Sequence, residues 1–517
     1  MRFISFAIGA LVSAAAAAAP TVVTIDAGKP GAVISKNVYG QFAEHLGTGI
    51  YGGMWVGPDS PIPNTRGWRN DVVGALKDLR VPVVRWPGGC FADLYHWRDG
   101  IGPRDKRPSR INASWGGIEE NNAVGTHEFF DLVEQIGADA YISGNLGSGT
   151  VHEMAEWIEY MTAGGNSSLA RERAANGHPA PYKVAFFGVG NEAWGCGGSM
   201  TVQHYTNLYN QTATFLRAPK ETQIIASGGT GNEGHPTLWT DYISKNVPEQ
   251  WTMRFDGISF HYYVQPPVGN FRAWAPATGF NEDAWIGTLK LALRMEKLVT
   301  DNVALLDKND PKKKLTFAVD EWGTWYESTP GSKPGSLAQQ NTLRDAIVAA
   351  LNFNIFHAHA DRERLANIAQ MVNVLQAMVL TDGDKMVLTP TYHAFKMYLP
   401  FQDATSLPVR LTNLPRYVFG KESIPAVSAS AARGKDGKLY VALVNTDPRH
   451  EAEVALAVSG ARVTTATGSV LTAEAMDAHN TFASAPVAPA PFAAQSQGGK
   501  LILRLPAKSV AVATLGE

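Results

Sequence analysis

Eight short apolar or β-rich runs recur through the first 400 residues: Val38–His45, Val81–Gly88, Ala138–Gly147, Val184–Ala193, Thr222–Gly229, Phe255–Tyr263, Lys314–Gly323 and Ala366–Leu375. The stretches between them are longer and carry apolar residues at helical spacing, as in His127–Ile136 and Val151–Met161. Strand and helix in strict alternation predict a parallel sheet covered by helices. Eight such repeats predict a (β/α)8 TIM barrel with long loops. The eighth run is the weakest, since Ala366–Leu375 fits a helix as well as a strand.

Beyond about residue 400 the helical spacing stops. Short β-rich runs take over (Val427–Ala431, Leu439–Asn445, Glu453–Ala457, Leu501–Leu505), separated by turn residues such as Asp436-Gly437. They predict a C-terminal β-sandwich over 401–517, after a barrel over 35–400. Residues 20–34 are also strand-like and are expected to add an edge strand to that sandwich. Residues 1–19 have the composition of a secretory leader: Arg2, a short apolar stretch, then a run of alanines. The expected location is therefore the periplasm or the outside of the cell. The leader is too short for a membrane span, and no other segment has the length for one.

Charge and cysteine content narrow the function. The net charge is −2 with no long basic run, which argues against a nucleic-acid partner. Two cysteines, Cys90 and Cys196, exclude a disulfide-built scaffold and a Cys-rich zinc site, and leave a single bridge open. Thirteen tryptophans in Gly-rich, polar surroundings suit stacking against sugar rings, though core packing accounts for many of them.

In a barrel of this kind the chemistry sits where strands end, at the C-terminal face. The fourth run ends in Gly190-Asn191-Glu192 and the seventh in Asp320-Glu321-Trp322. Two carboxylates that are distant in sequence then converge at the barrel mouth. Glycoside hydrolysis needs such a pair, one to protonate the leaving oxygen and one to attack the anomeric carbon. Asn191 offers a neutral group for a sugar hydroxyl. Arg85 either holds the nucleophile anionic or is a structural ion-pair partner. Tyr263 either donates to the nucleophile or packs under the rim. Gly88-Gly89 either lets backbone approach a ligand or makes a turn.

These residues resemble those of glycoside hydrolase family 51, the α-L-arabinofuranosidases. The likeness is carried by Gly40-Gln41-Phe42-Ala43-Glu44-His45, Arg85-Trp86-Pro87-Gly88-Gly89-Cys90, Gly188-Val189-Gly190-Asn191-Glu192, His261-Tyr262-Tyr263 and Asp320-Glu321-Trp322-Gly323. The resemblance implies a retaining, exo-acting enzyme with Glu192 as acid/base and Glu321 as nucleophile. It implies that Glu44, Arg85, Asn191, Tyr263 and Gln376 line the arabinose subsite and that the backbone around Cys90 borders it. Trp115 and Trp325 match aromatic residues near the pocket mouth. It further implies arabinan, arabinoxylan or their oligosaccharides as substrates, no metal or organic cofactor, and a homo-oligomer, commonly a hexamer. The competing readings are a β-xylosidase or endoglucanase with the same two carboxylates, a carbohydrate-binding protein on a dead scaffold, and a structural protein. The second predicts a missing carboxylate and the third predicts repeats; the chain has both carboxylates and no repeat.

Overall fold

The computed structural model describes residues 19–249, 253–268, 273–497 and 500–516. Eight parallel strands close into a barrel in chain order: Gly40–Phe42, Val83–Trp86, Asp139–Gly144, Val184–Val189, Gln223–Ala226, Gly257–Val264, Thr316–Thr324 and Glu363–Ala369. Strands two, six and seven are buried along their whole length. Their outward side chains lie under helices and their inward ones fill the barrel. That is why they read as continuous apolar runs without alternation.

Each strand is followed by a helix, the first seven returning the chain to the next strand and the eighth leading into the sandwich: Asn70–Asp78, Thr126–Ile136, Val151–Thr162, Val202–Phe215, Leu238–Asn246, Glu282–Asn309, Leu343–Ala358 and Pro390–Met397. Their starts are written locally. Thr150, Thr201, Asn281 and Thr389 each accept a backbone N–H of the first turn. Thr342 and Asp345 form a reciprocal capping box. Helix 343–358 is buried on nearly every side because it lies between barrel and sandwich. It therefore lacks the polar face of the other crossover helices.

The eighth strand differs from expectation. It begins at Glu363, three residues early, and stops at Ala369 rather than Leu375. The residues that follow, Met371, Val372, Val374 and Leu375, are buried in irregular backbone, with Asn373 and Leu375 at positive φ. Their apolar character reflects burial beneath the barrel mouth and so does not mark where the strand ends.

The sandwich has a five-stranded and a six-stranded sheet. Thr21–Asp26 lies inside the five-stranded sheet, antiparallel to Val409–Thr412 and parallel to Ala452–Ser459. Its alternating burial sends Val23 and Ile25 into the sandwich core beside Val441 and Leu503. The last barrel helix ends at Met397, and after a short 3-10 turn at Leu399–Phe401 the chain re-enters the sandwich at Thr405–Leu407. Barrel and sandwich are joined by polar contacts: Trp285 Nε1 donates to the Thr446 carbonyl, and His357 lies between Tyr39 Oη and Ser430 Oγ. Among the described residues no helix is long and apolar enough to cross a membrane. The alanine-rich N-terminus expected as a leader lies, up to residue 18, outside the described residues.

Candidate active site

The ends of strands two, four, six and seven converge on one charged cluster. Strand two delivers Arg85, 1% exposed. Its guanidinium donates to Glu321 Oε1 at 2.6 Å and to Asn191 Oδ1 at 2.6 Å, and its Nε lies 3.5 Å from Asp320 Oδ2. Strand six delivers Tyr263, whose hydroxyl donates to Glu321 Oε2 at 2.9 Å. It also delivers His261, whose Nδ1 lies 2.8 Å from Glu192 Oε1 and 3.5 Å from Glu321 Oε2. The other ring nitrogen of His261 is 3.2 Å from Asp320 Oδ1, and Tyr141 donates to Asp320 Oδ2 at 2.6 Å.

Electrostatics follow from this geometry. Burial alone would lower the His261 imidazole, but Glu321, Asp320 and Glu192 push it up to about 10, so it stands as an imidazolium. Burial, reinforced by the charge of Glu321, raises the Glu192 carboxyl above the usual carboxylate range. Asp320 is held below its usual range, because Arg85 and His261 outweigh its burial. Two cations, Arg85 and His261, thus face the carboxyl groups of Asp320, Glu321 and Glu192 in one buried cluster.

Above the cluster lies a pocket of about 140 Å³, lined by both Glu192 and Glu321. At roughly 30 Å³ per water it displaces about five waters, room for one pentose ring. Loops after strands one, two, seven and eight contribute Glu44, Cys90, Trp115, Trp325 and Leu375; loops after strands four, five and six contribute Trp194, Asn232 and Gln265. The Glu44 carboxylate accepts Trp115 Nε1 at 2.8 Å and the Phe91 N–H at 3.0 Å. Burial and the nearby Glu321 push it up to about 7. The aromatic wall is Trp325, edge-on to Tyr263 with centroids 5.2 Å apart, with Trp115 beside it. Gly88 and Gly89 pass directly against the carboxylates. A Cβ on Gly89 would meet Glu321 Oε1 at 2.7 Å, and one on Gly88 would meet Glu44 Oε1 at 3.0 Å. Close approach of backbone to the site, rather than a turn, demands glycine here. A larger hollow of about 520 Å³, near Ser244 and Lys314, lies at the opposite end of the barrel and shares no residue with this cluster.

Of the residues singled out from sequence, Glu44, Cys90, Trp115, Glu192, Tyr263, Glu321 and Trp325 line the pocket, and Arg85 and Asn191 support it from beneath. Gln376 does not belong to it. Its amide is fully buried elsewhere, accepting the Thr324 N–H and donating to the Asp345 carbonyl and Thr391 Oγ1. The pocket glutamine is Gln370, at the true end of strand eight, which accepts the Glu44 N–H at 3.1 Å and donates to Glu44 Oε2 at 3.3 Å. The misplacement follows directly from the strand boundary.

Sequence reasoning also missed Asp320, adjacent to Glu321, and Asp93. The buried Asp93 carboxylate accepts the Leu146, Gly147 and Asn191 N–H groups at 2.7–3.0 Å, tying the loops after strands two, three and four together. It anchors the backbone that carries Glu192 at φ 39°. Cys90 and Cys196 are joined by a disulfide. Two groups of side chains have metal-like spacing, Glu192 with His261 and Glu321, and Cys90 with Glu192 and Cys196. In the second group the cysteines are bridged to each other and so offer no thiolate.

Comparison with known proteins identifies the family. Residues 75–273 match the Alpha-L-arabinofuranosidase 1 domain and residues 320–509 the Alpha-L-arabinofuranosidase C-terminal domain. An intracellular exo-alpha-L-arabinofuranosidase from Bacteroides ovatus is 46% identical over 492 residues, covering 94% of each chain. The chain belongs to glycoside hydrolase family 51. It is an α-L-arabinofuranosidase. A solved family 51 arabinofuranosidase from Xanthomonas axonopodis pv. citri superposes with a TM-score of 0.92 at 51% identity, over 96% of this chain and all of that one. The alpha-L-arabinofuranosidase of Thermotoga maritima, solved with arabinose, matches at 0.79 and 30% over the same share of each.

One expectation about this family 51 enzyme is overturned. Export was expected from the N-terminus, but the Bacteroides relative, similar along nearly its whole length, is an intracellular enzyme. A small, apolar, alanine-rich N-terminus has the composition of a leader, and composition alone does not establish cleavage or export.

Proposed function

We propose that the enzyme is a retaining, exo-acting α-L-arabinofuranosidase that removes terminal non-reducing α-L-arabinofuranosyl groups from arabinan, arabinoxylan or their oligosaccharides. One observation carries this reading: a carboxylate oxygen of Glu192 and one of Glu321 lie within 4.8 Å of each other. Retaining glycosidases hold their carboxyls about 5–5.5 Å apart, whereas inverting ones leave about 6.5–9.5 Å for a water. The one-ring pocket supports exo action, since a chain-splitting enzyme needs an open cleft.

Glu321 is the nucleophile. Arg85 and Tyr263 each bind one of its oxygens and fix it for attack on the anomeric carbon. Glu192, protonated through burial and the neighbouring anion, gives its proton to the leaving oxygen as the glycosidic bond breaks. The glycosyl ester on Glu321 removes that neighbour's negative charge, so the carboxylate now left on Glu192 is stable unprotonated and serves as base. It takes a proton from water, whose oxygen attacks the same carbon from the opposite face and releases arabinose. Glu44 and Gln370, bonded to each other, are placed to receive sugar hydroxyls. The family resemblance extends the proposal to a hexameric assembly, which light scattering of the purified enzyme would check.

Proton NMR of early turnover on an aryl α-L-arabinofuranoside tests the mechanism. The expected first product is the α-anomer. A β-anomer appearing first would mean inversion and remove Glu321 as nucleophile. Turnover of xylosides but not arabinofuranosides would return the substrate question to the competing glycosidase reading.

A further inference from the structure

The mechanism uses Glu192 without using what lies against it. Its Oε1 is bonded to His261, while its Oε2 faces the disulfide, 3.4 Å from Cys196 Sγ and 3.9 Å from Cys90 Sγ. Bridged sulfurs carry no hydrogen, so neither donates a hydrogen bond to Oε2. The bridge also ties the loop after strand two to the loop after strand four, two residues from Trp194 in the pocket wall. Cys196 is exposed, so solvent reagents reach it.

We propose that the Cys90–Cys196 pair tunes the catalytic acid. As a disulfide it denies Oε2 a donor and so helps Glu192 keep its proton; as two thiols it offers S–H donors that favour the carboxylate. The inference rests on the reading of Glu192 as acid/base. The charged and titratable groups facing Glu192 are His261 and Tyr263 from strand six, Glu321 from strand seven and Arg85 from strand two. None of these is on the sulfur side of the carboxyl. The chemistry balances simply: a dithiol reductant supplies two electrons and two protons, the S–S bond breaks, Cys90 and Cys196 become thiols, and the reductant leaves as its own disulfide. The same pair thus gives one acid in an oxidising compartment and a stronger, earlier-ionising one in a reducing compartment.

The test is the alkaline limb of the pH profile of kcat/KM on methyl α-L-arabinofuranoside, whose poor leaving group needs the proton. Activity requires protonated Glu192, so it falls as pH rises through the acid's pKa. Reduction with dithiothreitol, with thiol formation verified by mass after alkylation of a denatured aliquot, is expected to move this limb about 0.5–1 pH unit toward acid. Reoxidation should restore it. In the Cys90→Ala/Cys196→Ala double variant the tether is gone but no S–H replaces it, so the limb should stay near the oxidised position and ignore reductant. A limb unmoved in fully reduced wild-type enzyme overturns the proposal, and needs no variant to fold. A double variant whose limb shifts as far as the reduced enzyme's also overturns it, by assigning the effect to the tether. The limb should vanish in Glu192→Gln. Its persistence there would sink the acid assignment itself, a different failure.

Discussion

Glu192→Ala separates chemistry from electrostatics in a single variant. Only the donor is lost. The ion pairs beneath it stay, because Arg85 and His261 still face Asp320 and Glu321 at 2.6–3.5 Å. General acid help contributes typically 10²–10⁴-fold. Loss of kcat/KM on methyl α-L-arabinofuranoside should therefore be about that size, or about 3–5 kcal/mol of transition-state stabilisation. With 2,4-dinitrophenyl α-L-arabinofuranoside, whose leaving group departs as a stable anion, the loss should be about tenfold or less. Because kcat/KM reports only the steps through bond cleavage, impaired base catalysis later in the cycle does not blur the comparison. Thermal unfolding supplies the second arm. Glu321→Ala leaves two buried cations against Asp320 alone, and stripping one partner from a buried pair costs about 3–5 kcal/mol. It should melt clearly below Glu192→Ala. Equal losses on both substrates, or equal melting of the two variants, would refute the reasoning.

Two further outcomes are expected. Gln370→Ala should lower kcat/KM by removing the amide that orients Glu44, while Gln376→Ala, which orphans the Thr324 N–H and the Asp345 carbonyl, should lower stability by about 1–3 kcal/mol; steady-state kinetics beside thermal melts distinguish them, and the opposite pattern would restore Gln376 to the site. Burial pushes the His357 imidazole from its usual 6.5 down to about 3, so the unfolded chain takes up a proton in this range that the folded protein refuses. Its stabilisation is fully present above pH 6.5 and lost as pH falls toward 3, about 2 kcal/mol of it by pH 5. Melting of His357→Gln should depend less on pH between 7 and 5 than wild type, and an equal dependence would assign acid sensitivity to other groups.

Local pattern determined the architecture. Burial on both faces makes each barrel strand an apolar run, helix caps are written within four residues, and the alternation of the two sets the fold. The same logic located Glu192 and Glu321, because a polar residue closing an apolar strand must emerge at the barrel mouth. Tertiary structure decided what depends on residues far apart in the chain. The eighth strand's end was hidden because buried loop and buried strand are equally apolar, and that ambiguity exchanged Gln376 for Gln370. The role of Asp320 is set by His261, Arg85 and Tyr141, which three other strands bring to it. Asp93 acts through backbone N–H groups that carry no sequence signature. The pairing of Cys90 with Cys196, and its position against Glu192, exists only because barrel closure brings the second and fourth loops together.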